Sequence, residues 1–502
     1  MDVFLTALQS VFDPLNLLLL FVATLGGITI GAIPGLTVTM AIALAVPLTL
    51  WMDTTSSMML LLGLYGSGIY GGSVSACLIN APGTPAAAAT GLDGYAMAKR
   101  GKPLKALRIA LWASVCGGVF SIVLLVLIAP QLADFALRFG PAEIAALLVF
   151  ALTLIAVLSG GSMLKGLFAA ALGMLLATVG ADPMLSIPRF TFDFNELFDG
   201  FAFIPVLIGL FAIAELFEQA ENRFRTGTEL IDISGADPKA NRITRKEVKA
   251  CAVPVLRSSA LGSFVGMLPG LGASVAAFLA YAETKRTSKS PERFGKGTAE
   301  GVASAESANN AVTGSAMIPM LALAIPGDPP TAILLGALMI QGVTTGPMIF
   351  VSNPDVVYTI YIVLFVALVF MTVIASVALK PISQVLRIPK AILFPIVLVM
   401  CVAGSFAIRG NVFDVYVMLG AGVLGYVLRI FGIPVAPLLI SFILTGPFEE
   451  SLRQALIGSE GSLLVFLEKP IAAFFLLLAL VMVASTIWRE RKSGALKLPQ
   501  AN

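Results

Sequence analysis

Long apolar segments recur along nearly the whole chain, and each is long enough to cross a bilayer as a helix. A span needs about 20 apolar residues, because a helix rises about 1.5 Å per residue and the hydrocarbon core is about 30 Å thick. The pattern predicts an all-α polytopic membrane protein of about 10–12 helices, with an extra helix near the C-terminus. The segments lie near residues 15–50, 57–80, 109–130, 143–158, 164–180, 201–218, 251–282, 311–350, 356–379, 391–408, 413–430, 432–446 and 470–488.

The composition agrees with this pattern and excludes several kinds of chemistry. Of the 502 residues, 58% are hydrophobic and only 12% are charged, too few to cover a soluble protein of this size. The chain has no histidine, which excludes Ser-His and Cys-His catalytic pairs and histidine proton relays. Its four cysteines form no CxxC pair, so neither a metal site nor a disulfide framework is indicated. The N-terminus does not resemble a cleaved signal peptide, and the net charge of +3 gives no indication of nucleic-acid binding.

Two passages in the first half of the chain have counterparts in the second half. GITIGAIPGL at 27–36 matches GSFVGMLPGL at 262–271, and NAPGTPA at 80–86 matches AIPGDPP at 324–330. The same Pro-Gly interruptions in the same order favour an internal duplication over two unrelated sets of helix breakers. The predicted organisation is a first membrane repeat at 1–220, a cytoplasmic linker at 221–250, a second repeat at 251–448 and a C-terminal segment at 449–502.

The charges of the loops indicate that the two repeats have opposite orientations. Equivalent loops differ: WMDTTSS after the first PGL has no Lys or Arg, whereas a basic run at 285–296 follows the second. The loop after PGTP is basic at 99–105, whereas the loop after PGDP, at 341–355, is not. Because basic loops stay cytoplasmic, the pattern predicts inverted-topology repeats. Counting the remaining segments predicts a periplasmic N-terminus and a cytoplasmic C-terminus. We expect Tyr281 and Arg286 to lie with the basic run in a solvated loop.

The interruptions predict a central site for an anion and a cation. Pro removes a backbone N–H and Gly loosens the chain, so each break frees polar backbone groups, which are tolerated at membrane depth only inside protein or beside a wet cavity. Freed N–H groups attract anions, and freed carbonyls can bind Na⁺. Kinks of ordinary transmembrane helices and helix-to-helix hydrogen bonds are the alternative explanation. The candidate substrate and ion residues are Pro34, Gly35, Leu36, Thr37, Ser73, Asn80, Pro82, Gly83, Thr84, Pro85, Pro269, Gly270, Gly272, Ser274, Asn309, Asn310, Pro326, Gly327, Asp328 and Thr331.

Few acidic residues lie near these breaks. Asp328, inside PGDP, either helps to bind a coupling cation or faces water, since an unpaired carboxylate at membrane depth is costly. Asp93 is expected to be structural. Glu306 is a better candidate than Glu300, because it lies nearer Asn309 and Asn310 in the sequence. No firm metal site is predicted, and Na⁺ is expected, if at all, near Asn80, Asn310 and Asp328.

At these residues the sequence resembles a known family. YGGSVSACLINAPGTPAAAATGLDGYAMAKRG at 70–101 and FGKGTAEGVASAESANNAVTGSAMIPMLALAIPGDPPTAILLGAL at 294–338 resemble the two signature regions of the TctA family, the large membrane subunit of tripartite tricarboxylate transporters. The resemblance covers essentially the whole chain. Ala96 stands where Pro often follows DGY, and Asp328 where a small polar residue is more usual, which leaves the local ion or substrate chemistry open.

The resemblance implies a function and a set of partners. Such subunits work with a small TctB-like membrane subunit and a periplasmic, TctC-like solute-binding protein in the bacterial inner membrane. Together they import small organic carboxylates of the citrate type, with no cofactor, by symport driven by an ion gradient (Na⁺ or H⁺). The chain has no P-loop motif for ATP hydrolysis. The alternatives are a passive channel or scaffold subunit and an intramembrane enzyme, which is disfavoured because no histidine exists to activate Ser73.

Overall fold

The computed structural model describes residues 2–158, 162–221, 230–233, 237, 239–388 and 390–492 of the chain. Within them, eleven helices are long and apolar enough to cross a membrane. These helices and the near absence of strands confirm the predicted all-α polytopic fold. The spans are Pro14–Ala32, Thr54–Ile79, Pro103–Ala136, Pro141–Leu158, Phe203–Glu221, Arg245–Gly266, Pro354–Val377, Ile392–Arg409, Val412–Ile430, Val435–Gly458 and Pro470–Arg489.

Most of the helices follow one another with short connections, whereas residues 178–202 form a longer one between α8 and α9. In chain order they are α1 (Asp2–Val11), α2 (Pro14–Ala32), α3 (Val38–Ala45), α4 (Thr54–Ile79), α5 (Ala87–Lys99), α6 (Pro103–Ala136), α7 (Pro141–Leu158), α8 (Met163–Ala177), α9 (Phe203–Ile208), α10 (Ala214–Glu221), α11 (Arg245–Gly266), α12 (Gly272–Thr287), α13 (Ala299–Ser315), α14 (Met317–Leu323), α15 (Pro329–Ile340), α16 (Ile349–Ser352), α17 (Pro354–Val377), α18 (Leu379–Val385), α19 (Lys390–Arg409), α20 (Val412–Ile430), α21 (Val435–Gly458), α22 (Val465–Glu468) and α23 (Pro470–Lys492). Short 3₁₀ turns occupy Val46–Trp51, Asn195–Leu197 and Pro291–Arg293, and a π-helical turn at Gly209–Ile213 joins α9 to α10. The strands are β1 (Gly180–Ala181) and β2 (Pro188–Arg189).

The chain divides into two compact units. One comprises Met1–Asp134 and Ile204–Tyr426, and the other comprises Phe135–Phe203 and Val427–Asn502. These units are defined by packing within the folded chain, whereas the predicted repeats are defined by duplication along the sequence. The predicted boundaries at 220, 250 and 448 therefore stay a prediction. Part of the predicted linker, residues 222–229, 234–236 and 238, lies outside the described residues.

All four Pro-Gly interruptions fall between helices, as the sequence predicted. Residues 33–37 separate α2 from α3, and residues 80–86 separate α4 from α5. In the second half, residues 267–271 separate α11 from α12, and residues 324–328 separate α14 from α15. The breaks follow from the residues themselves, because Pro cannot donate to the preceding turn and Gly adopts conformations that end a helix.

The backbone has the same conformation at equivalent positions of the two halves. Asn80 and Ala324, which are aligned in the two motifs, both end a helix in the left-handed region, with φ of 54° and 56°. Gly35 and Gly270 of the two PGL motifs have φ of 93° and 86°. A non-glycine residue rarely adopts a positive φ, so its recurrence at aligned positions supports the internal duplication.

Glycine contacts hold each pair of breaks together in the same way. A Cβ added at Gly83 would clash with the carbonyl oxygen of Gly31, and one added at Gly327 would lie 2.7 Å from the carbonyl oxygen of Gly266. In both halves, therefore, the glycine of the PGTP or PGDP break packs on the backbone of the helix that precedes PGL. Small residues at such crossings let two backbones approach closely inside a membrane.

Loop contacts in the larger unit agree with opposite orientations of the two halves. On the basic side, Asp93 of the first half accepts hydrogen bonds from the backbone of Gly297 and Thr298 in the second. Away from the basic loops, Gln341 donates to the carbonyl of Thr49 (2.6 Å) and to the hydroxyl of Ser57 (3.1 Å). The helix after PGTP, α5, thus meets the end of the connection that follows the second PGL segment, and the start of the loop after PGDP meets the segment after the first PGL. Inverted repeats require this crossed pairing.

The segment at 299–315 is where the structure differs most from the hydropathy pattern. The apolar segments predicted around it end near 282 and resume near 311, yet α13 spans Ala299–Ser315 and is buried from Gly301 to Ser315. Its polar side chains are enclosed by other helices rather than by lipid. Hydropathy misses it because the scale assumes that a buried segment faces an apolar environment.

Tyr281 corrects a second expectation. The sequence placed it in a solvated basic loop, but it lies inside α12, is only 7% exposed and donates a hydrogen bond to Asp93 (2.9 Å). Arg286, in the last turn of α12, is exposed as expected. The aromatic ring of Tyr281 packs on Phe294, so the connection between α12 and α13 folds back on the helix.

In the smaller unit an ionic cluster holds the β-hairpin. Arg453 pairs with Asp182 (2.7 Å) and Glu449 (2.6 Å), and Arg189 pairs with Glu449 (2.7 Å). Asp182 also accepts the backbone N–H groups of Met184 and Leu185. These backbone donors, above all that of Leu185, together with Arg453, lower the pKa of Asp182 to about 2. The hairpin thus depends on an ionised Asp182.

We predict that Gly83→Ala destabilises the protein by about 1–3 kcal/mol, because the added methyl group has no space beside the Gly31 carbonyl. The apparent melting temperature of the detergent-purified protein measures the effect. Gly66→Ala is the matched control: its Cβ meets no atom within 4 Å, and alanine favours the helix by about 1 kcal/mol. Equal melting temperatures for the two variants would contradict the close packing.

We also predict that acid releases the hairpin between β1 and β2. A carboxyl with a lowered pKa stabilises the fold above its unfolded value of about 3.9, and this contribution is lost as the pH falls through about 2. The protection of residues 180–189, measured as exchange relative to an unstructured peptide at the same pH, should therefore be high at neutral pH and fall between about pH 4 and pH 2. Asp182→Asn should exchange rapidly at neutral pH, whereas the exposed Asp193→Asn should behave as the wild type.

Candidate functional site

Helix α13 supplies the centre of the buried polar site. The hydroxyl of Thr298 caps it by accepting the N–H of Gly301 (3.2 Å), and Glu300 lies in the first turn, where a carboxylate favours the helix dipole. The rest of the helix is rich in Ala, Gly and Ser, so neighbouring helices approach it closely. It packs against α4, α5, α11 and α12. A polar helix is in this way enclosed on all sides.

The carboxylate of Glu306, on α13, is fully buried and is the hub of this site. Its Oε2 accepts hydrogen bonds from the hydroxyls of Ser73 on α4 and Thr90 on α5, the latter at 2.7 Å. Its Oε1 accepts from the hydroxyl of Ser114 on α6 (3.2 Å) and from the amide of Asn310 (2.9 Å). One side chain therefore joins four helices from the two halves of the sequence.

The donors around Glu306 are all uncharged among the described residues. The amide of Asn310 also donates to the hydroxyl of Ser114 (2.9 Å), which links two of the donors to each other. Hydrogen bonds offset part of the cost of burying a carboxylate, but they do not neutralise its charge. An ionisable group inside a membrane protein without an opposite charge is typical of an ion or substrate pathway.

Three polar oxygens near this helix have no hydrogen-bond partner. They are Oδ1 of Asn309, Oγ1 of Thr313 and Oγ of Ser263, all buried. Thr313 and Asn310 line a cavity of about 20 Å³ together with Ser121 and apolar side chains of α17. A volume of that size accommodates about one water molecule. Buried polar atoms usually have partners, so each of these oxygens is a candidate contact for a ligand.

Asp328 does not face water, since it caps α15 and is only 4% exposed. Its Oδ1 accepts the N–H and the hydroxyl of Thr331 (2.9 and 2.8 Å), and its Oδ2 accepts the hydroxyl of Tyr65 (3.0 Å). The second break is thus stabilised by its own capping box. The cap occupies the N–H of Thr331, so that group is not available to a substrate anion.

The four helices that follow the breaks differ in whether a side chain accepts a backbone N–H at their N-terminus. Thr37 accepts the N–H of Met40 at the start of α3, and Thr84 accepts the N–H of Ala87 at the start of α5. Asp328 does the same for α15, whereas α12, which begins at Gly272, has no side-chain cap. Ser274, in its first turn, is partly exposed. Of the four, the N-terminus of α12 is therefore the one most open to an anion.

Exposure distinguishes the two equivalent breaks. Asn80, Pro82 and Pro85 of the first half are exposed, whereas the equivalent Pro326 is buried and Ala324 and Pro329 are partly exposed. The residues inside the breaks, Gly83 and Thr84 as well as Gly327 and Asp328, are buried in both halves. Asn80 therefore lies apart from the buried cluster around Glu306. Ser73, Asn309 and Asn310 do lie together there, as the grouping in the sequence suggested. Pro269 and Leu36 are buried, and Pro34, Gly35, Thr37 and Gly270 are partly exposed.

Sequence reasoning missed several residues of the site. Thr90 and Ser114 donate to Glu306, Tyr65 donates to Asp328, and the side chain of Gln219 lies against Gly35. Ser114 and Tyr65 lie in apolar segments, so nothing in the local pattern marks them. Only Thr90, in the conspicuous PGTPAAAATGLDGY stretch, could have been found by extending the motif by one helical turn.

Asp93 serves the site as an anchor. It is fully buried, and its Oδ1 accepts the backbone N–H groups of Gly297 and Thr298 at 2.6 and 2.7 Å. Thr298 is the residue that caps α13. The expectation of a structural role agrees with these contacts, because Asp93 fixes the start of the helix that carries Glu306.

This geometry defines a multi-pass helical membrane protein with paired discontinuous helices around an enclosed polar centre. The chain belongs to the tripartite tricarboxylate transporter TctA family, whose model matches residues 17–440. It is therefore a member of a family of transporter membrane subunits, which agrees with the resemblance seen in the sequence.

Two curated relatives, both from Agrobacterium vitis, are similar to the chain. One is described as an uncharacterized 52.8 kDa protein in the TAR-I ttuC' 3' region and is 37% identical over 480 residues, covering 95% of this chain and 94% of the relative. The other, an uncharacterized protein in the TAR-II ttuC' 3' region, is 40% identical over 222 residues, covering 44% of this chain and 92% of the relative. No solved structure gave a significant match.

Proposed function

We propose that the chain is the translocating subunit of a binding-protein-dependent secondary transporter that imports small organic carboxylates. Its family consists of membrane subunits of tripartite transporters. The substrate class, the coupling and the movement are proposed here from the site. The partners would be a small membrane subunit and a periplasmic solute-binding protein, in the inner membrane.

The observation that carries the proposal is the unequal exposure of two equivalent breaks. Asn80, Pro82 and Pro85 around the PGTP break are exposed, whereas their counterparts Ala324, Pro326 and Pro329 are partly or fully buried. Asn80 and Ala324 nevertheless have nearly the same φ. Two inverted halves that differ in this way are expected when the site is open to one side only. Exchange of the two environments between the halves would give alternating access.

The site has groups for both an anion and a cation. The uncapped N-terminus of α12, with Gly272 and Ser274, presents backbone N–H groups to a carboxylate of the substrate. The uncompensated charge of Glu306 and the nearby unpartnered oxygens suit a cation. Binding a cation offsets the repulsion between Glu306 and an anionic substrate, which is a physical reason for coupled import.

A passive channel is the second candidate, since discontinuous helices also line pores. The packing of the larger unit disfavours it, because Glu306 and its donors form a closed network across α4, α5, α6 and α13. A channel needs a continuous path, whereas this centre must be rearranged for a solute to pass.

Uptake by proteoliposomes that contain the three subunits tests the proposal. We predict accumulation of a labelled di- or tricarboxylate above its external concentration when a Na⁺ or a pH gradient is imposed separately on the vesicles. Uptake that stops at equal concentrations under both gradients would identify a channel. Uptake that needs neither the binding protein nor a gradient would reject the assignment.

We predict that Asn80→Ala and Asn310→Ala each lower uptake at least tenfold. For Asn310, losing the hydrogen bond to the buried carboxylate of Glu306 costs about 1.5–3 kcal/mol, and about 1.4 kcal/mol corresponds to tenfold. For Asn80, alanine is disfavoured in the left-handed conformation that ends α4 by about 1–2 kcal/mol. Asn80→Gly is the matched control for the backbone, since glycine adopts the left-handed conformation of Asn80 without strain.

The two Asn80 variants distinguish a role of the side chain from a role of the backbone conformation. A loss of uptake in Asn80→Ala and Asn80→Gly alike assigns the effect to the side chain. Full uptake in Asn80→Gly with loss in Asn80→Ala assigns it to the backbone of the break. Normal uptake in both Asn80→Ala and Asn310→Ala, with normal membrane insertion, would defeat the site assignment.

A further inference from the structure

We propose that the coupling ion is Na⁺ and that it binds between the carboxylate of Glu306 and the amide oxygen of Asn309. This inference rests on the proposed function, because it identifies the ion that such a transporter would use and the residues that hold it. It is carried by three features of the described residues: an uncompensated charge, an unpartnered oxygen and the spacing between them.

The first feature is the charge of Glu306. All of its hydrogen bonds come from hydroxyl and amide groups, and among the described residues no Lys or Arg pairs with it. Of the basic side chains on α6 that precede Ser114, Arg108 donates to the backbone carbonyl of Asn241 and Lys105 pairs with Glu247. With Glu306 ionised, the network has one net negative charge at a fully buried position, and a monovalent cation would neutralise it.

The second feature is the amide of Asn309, whose side chain is fully buried. Its Nδ2 lies 3.5 Å from Oε1 of Glu306, at the limit of a hydrogen bond, and its Oδ1 has no partner. The two ends of an amide are interchanged by a half-turn about its last side-chain bond. That turn would place the oxygen against the carboxylate, which is favourable only when a cation or a proton lies between them.

The third feature is the spacing. Hard cations of this size bind oxygen ligands at about 2.3–2.6 Å, so two ligands at right angles lie about 3.3–3.7 Å apart. The 3.5 Å separation between the Asn309 amide and Oε1 of Glu306 falls in this range. The hydroxyl of Ser114, also hydrogen-bonded to Oε1 (3.2 Å), can supply a further neutral oxygen by turning its proton away.

The ligand set favours Na⁺ over a divalent metal and over a proton. No group of three or more His, Cys, Asp or Glu side chains that could hold a metal ion occurs in the described part of the chain. A single carboxylate with neutral oxygens matches one positive charge and a hard cation. A proton shared between Glu306 and the Asn309 oxygen would hold them about 2.5–3.0 Å apart, whereas the 3.5 Å separation suits two ligands of one cation.

Binding at this position would link the ion to the packing of the helices. Ser73, Thr90 and Ser114 donate to Glu306 from three helices of the first half of the sequence. A cation needs oxygen lone pairs, so hydroxyls that coordinate it must turn away from the carboxylate. Occupancy therefore changes the bonds that hold α13 against α4, α5 and α6, which is how an ion gradient could drive the movement.

The test measures Na⁺ binding without any substrate. The thermal stability of the detergent-purified full chain is titrated with NaCl against choline chloride at constant ionic strength and fixed pH. A ligand that binds only the folded state raises stability with concentration. We expect saturable stabilisation of the wild type by Na⁺, and at least a tenfold higher half-saturating concentration for Glu306→Gln.

Two further variants make the result interpretable. Asn309→Ala keeps the carboxylate and should also raise the half-saturating Na⁺ concentration about tenfold, the loss expected when a hydrogen bond or ligand bond to a charged group is removed. It serves as the test if Glu306→Gln fails to fold. Glu300→Gln removes a carboxylate from the same helix, outside the network, and should bind Na⁺ as the wild type does.

Each outcome bears on the inference. Equal Na⁺ responses in the wild type, Glu306→Gln and Asn309→Ala would overturn it, and so would a wild-type response to pH with none to Na⁺. Because no substrate is present, failure of carboxylate uptake would reject the proposed function while leaving this measurement intact. Loss of Na⁺ binding in both site variants, with retention in Glu300→Gln, would support the site.

Discussion

The burial of one carboxylate, that of Glu306, is the constraint on which the interior of this protein depends. A charged group without water must be surrounded by donors, and the fold supplies them from α4, α5 and α6 and from its own helix. This need explains why α13, a helix of alanine, glycine and polar residues, lies in the core although its hydropathy is low. The same enclosure leaves the charge uncompensated, which is what makes the centre suited to an ion.

The helix breaks create a second problem of burial. Each one frees backbone groups that lipid cannot satisfy, and three of the four helices that follow are capped by a side chain, from Thr37, Thr84 or Asp328. Glycines then allow the break of each half to pack on the backbone of its own PGL helix. What remains open, the start of α12, is a backbone site that an anion can approach. The residues that stabilise the breaks, the three caps, are therefore different from the residues at the start of α12 that a ligand can reach.

Much of the fold followed from local patterns. The five spans from α17 to α23, the four interruptions and the two groups of loops were all predictable, because Pro, Gly, charge and apolar length act within a few residues. The short helix α1 and the position of Tyr281 were not. Asp328 shows the limit most clearly: its position in PGDP was evident, but whether it would face water, bind an ion or cap a helix depended on Tyr65, which is 263 positions away in the chain.

By itself, then, the sequence determined the membrane fold, the duplicated breaks, the charge asymmetry of the loops and the family. Only the tertiary structure decided which polar side chains form one site. Ser73, Thr90 and Ser114 are separated from Glu306 by 233, 216 and 192 positions, and nothing in their neighbourhoods distinguishes them from hydroxyls that bond to their own helices. The reason is physical: periodicity and helix breaking are properties of neighbouring residues, whereas the environment of a buried charge is set by helices that meet only when the chain has folded.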